Sequence, residues 1–209
     1  MPTGISSGAT GQTIEAASAA PFILASASPR RLDLLARIGV VPDRVDPADI
    51  DETPRPAERP ADYARRMAAE KAAAVHARHK GACILAADTV VAVGRRILPK
   101  AESVDEARQC LSLLSGRRHH VLSAVCVIDA AGTARARLSD TIVIFKRLTA
   151  QEIDEYIASN EWHGKAGGYA IQGHAEALVR YLAGSHSGVV GLPLFETRAL
   201  LAAAGQRLG

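Results

Sequence analysis

Phe22-Ile23-Leu24-Ala25-Ser26-Ala27-Ser28-Pro29-Arg30-Arg31 sets how the chain begins to fold. Its first four residues are an apolar run of strand length. Beyond it, Leu32, Leu35 and Ile38 at helical spacing, with Gly39 as a stop, read as an amphipathic helix. Ser28 suits the N-cap, and Pro29 suits the first helical position, where its missing N–H would have had no partner. A strand that turns straight into a helix sets unpaired N–H groups and a positive dipole end beside Arg30 and Arg31, which suits phosphate or carboxylate. Taken alone, the same residues also describe a capped surface helix with solvated arginines.

Residues 45–56 are rich in proline and acid and read as a loop that contains Glu52. Residues 60–79, rich in Ala and Arg, predict a long helix that Gly81 ends. Cys83-Ile84-Leu85-Ala86-Ala87 is a buried strand running into Asp88-Thr89-Val90-Val91-Ala92-Val93, and Gly94-Arg95-Arg96 is a turn back. A helix over 103–114 takes Ser103 as cap, Glu106 to complete a capping box and Gly116 as stop. Two β-rich segments, 119–129 and 133–145, meet at Ala130-Ala131-Gly132, a hairpin signal. Thr149 and Glu152 repeat the capping box at the head of a helix over 149–158. The glycine-rich stretch 164–173 predicts a loop or strand with close backbone approach, and 193–204 predicts a last helix. Helices alternating with strands, one antiparallel hairpin included, predict an α/β fold on a mixed sheet with flanking helices.

The composition bounds what such a fold can do. At 209 residues the chain can bury a proper core and reads as a single domain over 21–209. Residues 1–20 hold no Lys or Arg and no apolar core; they read as a disordered extension rather than a secretory signal. Aromatics make up only 4% of the chain, so the core is built from aliphatic residues, and a surface that stacks single-stranded bases is disfavoured. A net charge of +3 is too small to imply nucleic acid but is compatible with a small anion held by a local cluster. No apolar run approaches the ~20 residues that span a bilayer, so no membrane partner is expected. The three cysteines, Cys83, Cys110 and Cys126, form no CxxC pair and read as buried reduced thiols of a cytoplasmic protein.

Asp88 is placed by this reading at the C-terminal end of an apolar strand, where α/β sheets meet their ligands. A carboxylate there can bind a metal, orient water, accept a proton or merely cap the following turn. Glu52 is a second candidate ligand. Lys71, Lys100 and Lys165 lie in separate segments, and with Arg30 and Arg31 they are suited to surround a polyphosphate. Ser26 and Ser28 fit phosphate contact better than nucleophilic attack, since no base is evident and there is no GxSxG. Neither GxxxxGK[ST] nor a GxGxxG after a strand occurs. With 119–129 as a strand, His119 and His120 point to opposite faces and cannot easily share one ion.

Leu24-Ala25-Ser26-Ala27-Ser28-Pro29-Arg30-Arg31, Glu70-Lys71-Ala72, Ala87-Asp88-Thr89-Val90-Val91, Lys165 through Gly173 and Val190-Gly191-Leu192-Pro193 together resemble the Maf nucleoside triphosphate pyrophosphatases. The five blocks occur in that family's order across about residues 22–204. The resemblance implies hydrolysis of a nucleoside triphosphate to the monophosphate and pyrophosphate with a divalent cation, Mg²⁺ or Mn²⁺. It also implies an elongated mixed sheet with two lobes around a central cleft, a cytoplasmic location and a homodimer. Asp88 matches the family's proton acceptor, with Glu52 and Asp88 as candidate metal ligands. Ser26, Arg31, Glu52, Lys71, Lys100 and Lys165 match polar positions lining the family's cleft, and with Ser28 the basic and hydroxyl residues among them are candidates for substrate binding. Arg30, Thr89 and Gln172 match the positions that separate substrate classes, and resemble the dTTP and UTP branch rather than the 7-methyl-GTP branch.

The chain departs from the family pattern at Lys100-Ala101, where Lys-Pro is common, at Gly164, which often is an acid, and at Tyr169-Ala170, where Tyr-Gly is usual. A nucleotide-binding regulator of cell division with vestigial catalysis is the alternative from a different class. Retention of the acid, the lysines and the glutamine together favours the enzyme.

Overall fold

The computed structural model describes residues 20–206, so the extension expected over 1–20 lies, apart from Ala20, outside the described residues. The opening stretch forms strand β1 (Phe22–Leu24) and helix α1 (Pro29–Ala36), joined by four residues that include both serines. Ser28 occupies the N-cap with an extended backbone, but its hydroxyl makes no capping bond. A two-residue strand β2 (Arg44–Val45) returns parallel to β1. Helix α2 (Pro60–Arg78) then carries the chain to β3 (Cys83–Val93), which is parallel to β1 with Leu24 opposite Leu85.

The rest of the sheet is antiparallel. β4 (Arg96–Leu98) folds back on β3 through the Gly94 turn. β5 (Lys100–Ala101) and α3 (Val104–Leu114) lead to the long hairpin of β6 (Arg118–Ile128) and β7 (Ala134–Phe145). Both expected capping boxes form, at Ser103 with Glu106 and at Thr149 with Glu152, the second heading α4 (Ala150–Ala158). After β8 (Lys165–Ala166) and a 3-10 turn (His174–Leu178), strand β9 (Val179–Ala183) adds to β7. Short α5 (His186–Val190) and α6 (Leu194–Ala203) finish the fold. The main sheet runs β2-β1-β3-β6-β7-β9 with β4 against β3, and β5 pairs with β8 in a separate two-stranded sheet.

Side-chain alternation along β3 divides the interior in two. Cys83, Leu85, Ala87 and Val91 face a core with residues of α1, α3, α4 and α6. Ile84, Ala86, Val90 and Ala92 face a second core covered by α2. Small residues on that helix (Ala64, Ala68 and Ala72 are fully buried) let its backbone approach the sheet closely. Two charged residues occupy inward positions in this apolar layer: Lys71 on the buried stripe of α2, and Asp88 between Ala86 and Val90. Ions taken out of water at such positions need partners.

Candidate active site

Asp88 and Lys71 partner each other. The Lys71 ammonium donates to Asp88 Oδ1 at 2.7 Å and lies 2.8 Å from Glu52 Oε1, so one buried cation joins two carboxylates. Asp88 does not end its strand, as the sequence reading had it. β3 continues to Val93, and Asp88 sits at its middle. Antiparallel pairing with β6 as far as Ala92 and with β4 at Val91–Val93 carries β3 on, whereas pairing with the much shorter β1 stops at Leu85, followed by one Ala25 N–H bond to the Leu85 carbonyl. The carboxyl end that opens the crevice belongs to β1, and Asp88 lies just beyond it on the neighbouring strand.

The cleft there, about 290 Å³, is lined by all the residues singled out above: Ser26, Ser28, Arg30, Arg31, Glu52, Lys71, Asp88, Thr89, Lys100, Lys165 and Gln172. Five basic and two acidic side chains face it, an excess of positive charge that suits a polyphosphate. Burial pushes the Arg30 and Arg31 guanidiniums and the Lys165 ammonium below their ordinary values, and Arg30 adds to the effect at Lys165. An anion among them would offset that cost.

Each element supplies its residues for a local reason. The start of α1 points Arg31 across the cleft, where Nε donates to the Gly191 carbonyl at 2.9 Å and Nη1 to Ser26 Oγ at 2.7 Å. Arg31 thus braces the cleft wall as well as lining it. Pairing of β5 with β8 sets Lys100 opposite Ala166 and Ala101 opposite Lys165, which brings two lysines distant in sequence to one rim. Lys100 Nζ donates to Glu52 Oε2 at 2.8 Å, so the Lys100-Ala101 departure leaves this lysine in the cleft. Lys165 donates to the His163 carbonyl at 2.9 Å. Gly167, with φ +67°, allows its loop to press on β3: a Cβ there would lie 2.9 Å from the Val91 side chain.

Burial alone would raise the Glu52 carboxyl, but hydrogen bonds from Lys100 and Lys71 outweigh it and draw it down to about 2. Glu52 is therefore ionised at neutral pH. Among the described residues no three His, Cys, Asp or Glu side chains gather as metal ligands. Two carboxylates converging on one ammonium still fit a hard divalent cation, since Mg²⁺ commonly takes one or two carboxylates and completes its shell with water and substrate phosphate.

Thr89 points to the opposite face of β3 from Asp88. Its Oγ1 lies 2.9 Å from Ser123 Oγ, which donates to the Gly188 carbonyl at 2.6 Å. Ser123 was not singled out in the sequence; a serine at an inward position of an apolar strand is its only signal.

A family model for Maf-like proteins matches residues 21–204. The chain belongs to the Maf-like family. Its Maf relatives include a dTTP/UTP pyrophosphatase of Rhodospirillum rubrum, 60% identical and covering 93% of either chain. Another dTTP/UTP pyrophosphatase, from Novosphingobium aromaticivorans, is 64% identical over 88% of this chain and 92% of that one. A solved HAM1 protein of Coxiella burnetii resembles this Maf chain with a TM-score of 0.48 at 16% identity, over 88% of this chain and 99% of that one. No helix among the described residues is long and apolar enough to cross a membrane.

Proposed function

We propose that this Maf-family chain is a pyrophosphatase that hydrolyses dTTP and UTP to the monophosphate and pyrophosphate. The observation that carries the chemistry is the convergence of Glu52 and Asp88 on Lys71 beneath a rim of cations. The substrate preference follows the names of relatives about 60% identical over nearly the whole chain. In this reading the triphosphate enters between Arg31, Lys71, Lys100 and Lys165, with Ser26 and Ser28 beside its phosphates. Asp88 takes the proton of a water that attacks the α-phosphorus. A bond forms between that water's oxygen and the α-phosphorus as the bridge to the β-phosphate breaks, and pyrophosphate leaves with its charge offset by the basic groups. Glu52 and Asp88 would hold a Mg²⁺ or Mn²⁺ ion, which supplies further positive charge against phosphate oxygens. Arg30, Thr89 and Gln172 remain for the nucleoside. The buried, unpaired Cys83, Cys110 and Cys126 suit a cytoplasmic enzyme.

The test is pyrophosphate release from a panel of nucleoside triphosphates with Mg²⁺, by wild type and Asp88→Asn. Wild type should favour dTTP and UTP. Asp88→Asn should lose about 10²–10⁴-fold in kcat with its unfolding midpoint near wild type, the usual range for removing a general base. Tight nucleotide binding without pyrophosphate release by wild type, or equal turnover by both proteins, would overturn the assignment.

A further inference from the structure

Glu52 is the one cleft carboxylate delivered by a segment without regular structure: residues 46–54 belong to no helix or strand. The backbone bond from Asp46 N–H to the Leu24 carbonyl fixes where that segment begins. Beyond it, side chains of α2 supply ties. Arg78 Nη2 donates to the Pro47 carbonyl at 3.1 Å, and Arg66 Nη2 to the Thr53 carbonyl at 3.2 Å. Between these, the Tyr63 hydroxyl donates to the carbonyl of Glu52 itself at 2.7 Å. Tyr63 is buried, with the Arg66 guanidinium 5.4 Å above its ring. Arg66 is in turn held by Glu58, at 2.6 Å from Nε and 2.7 Å from Nη2. Burial first, then the charges of Asp88 and Glu52, push the Tyr63 hydroxyl up to about 12, so it stays a protonated donor across the neutral range.

One helix therefore grips both ends of Glu52. Tyr63 holds its carbonyl, and Lys71, two turns further along the same face, holds its carboxylate. A carboxylate on an otherwise free loop would spread over many positions. A main chain pinned at the carbonyl leaves only side-chain torsions to settle, and the Lys71 and Lys100 ammoniums settle them.

We infer that Tyr63 is a positioning residue for the reaction: its hydroxyl fixes the main chain of Glu52 so that the carboxylate meets Lys71, Lys100 and the incoming phosphates. This rests on the cleft being the hydrolytic site. Tyr63 touches no reacting atom, and its effect passes through Glu52.

Tyr63→Phe removes the donor and keeps every carbon contact. With dTTP, kcat should fall by about ten- to a hundredfold while KM changes little, as expected when a group slips by about an ångström. In a Glu52→Gln background the same change should cost almost nothing more, because there is no longer a carboxylate to place. A readout independent of turnover accompanies these. Cleavage of the native protein after Glu52 by a glutamate-specific protease should be several times faster in Tyr63→Phe, with the global unfolding midpoint close to wild type. The inference is overturned if kcat stays at the wild-type value, if the loss multiplies undiminished on Glu52→Gln, or if cleavage after Glu52 is unchanged. It is equally overturned if kcat and KM move together with a large fall in the unfolding midpoint, the pattern of a merely structural tyrosine. Should wild type hydrolyse no nucleotide, the proposed function fails while the protease readout still decides the tether.

Discussion

His119 shows how a single residue can tie stability to pH without touching the cleft's chemistry. It is fully buried on β6, with Nε2 2.9 Å from the Tyr169 hydroxyl and its ring edge-on to Phe145 at 5.3 Å. Burial pushes the imidazole down to about 4 from its usual 6.5. Between those two values the unfolded chain binds a proton that the folded chain refuses, so stability is full above pH 6.5 and drains as pH falls towards 4. The loss across that window is on the order of 3 kcal/mol. Urea-unfolding midpoints measured from pH 7.5 to 4 should fall more steeply for wild type than for His119→Gln. Parallel curves would show that His119 does not carry the dependence. Because Tyr169 lines the cleft, the same packing connects the core to the glycine-rich loop.

At the scale of elements, that loop depends on its closest approach. Gly167→Ala would force a methyl to within 2.9 Å of Val91 Cβ at a backbone angle, φ +67°, that other residues avoid. Overpacking and left-handed strain together should cost about 2–5 kcal/mol. The shift would also displace β8, so a lower unfolding midpoint should come with weaker binding of pyrophosphate, read by calorimetry; loss of stability with unchanged binding would show that the loop's register does not set the lysines. The close approach was evident in the sequence, as were both capping boxes and the β6–β7 hairpin, because each is written in adjacent residues. The two-residue strands β2 and β5 were not, nor were β9 and α5, and β8 fell in a stretch that read as loop or strand. So short a strand has no period of its own, and its partner across space decides it. Asp88 read as a strand end because a carboxylate interrupts the apolar run there, and only the pairing with β6 across space shows that the strand goes on.

Across the whole molecule, Arg30, Arg31, Lys71, Asp88 and Lys165 were evident in the sequence because the family blocks keep them in order, whereas Glu52 and Lys100 lie between the blocks. The hydroxyls of Tyr63 and Ser123 were hidden because both lie on stripes that read as core. In the proposed reading substrate choice belongs to the assembled cleft, since Arg30, Thr89 and Gln172 come from a helix start, a central strand and the glycine-rich segment and line one cavity only when all three are in place. Gln172 is the exposed member of that set. Its amide both donates and accepts, so it can meet the O4 and N3–H edge of thymine or uracil with two complementary bonds. An ionised glutamate could only accept, and would repel O4. A site built on hydrogen bonds discriminates strongly, because the wrong group leaves polar atoms unpaired. Gln172→Glu should therefore lower kcat/KM for dTTP and UTP far more than any residual activity on purine triphosphates. A uniform loss across all nucleotides would mean that Gln172 supports the loop, and that Arg30 or Thr89 reads the base.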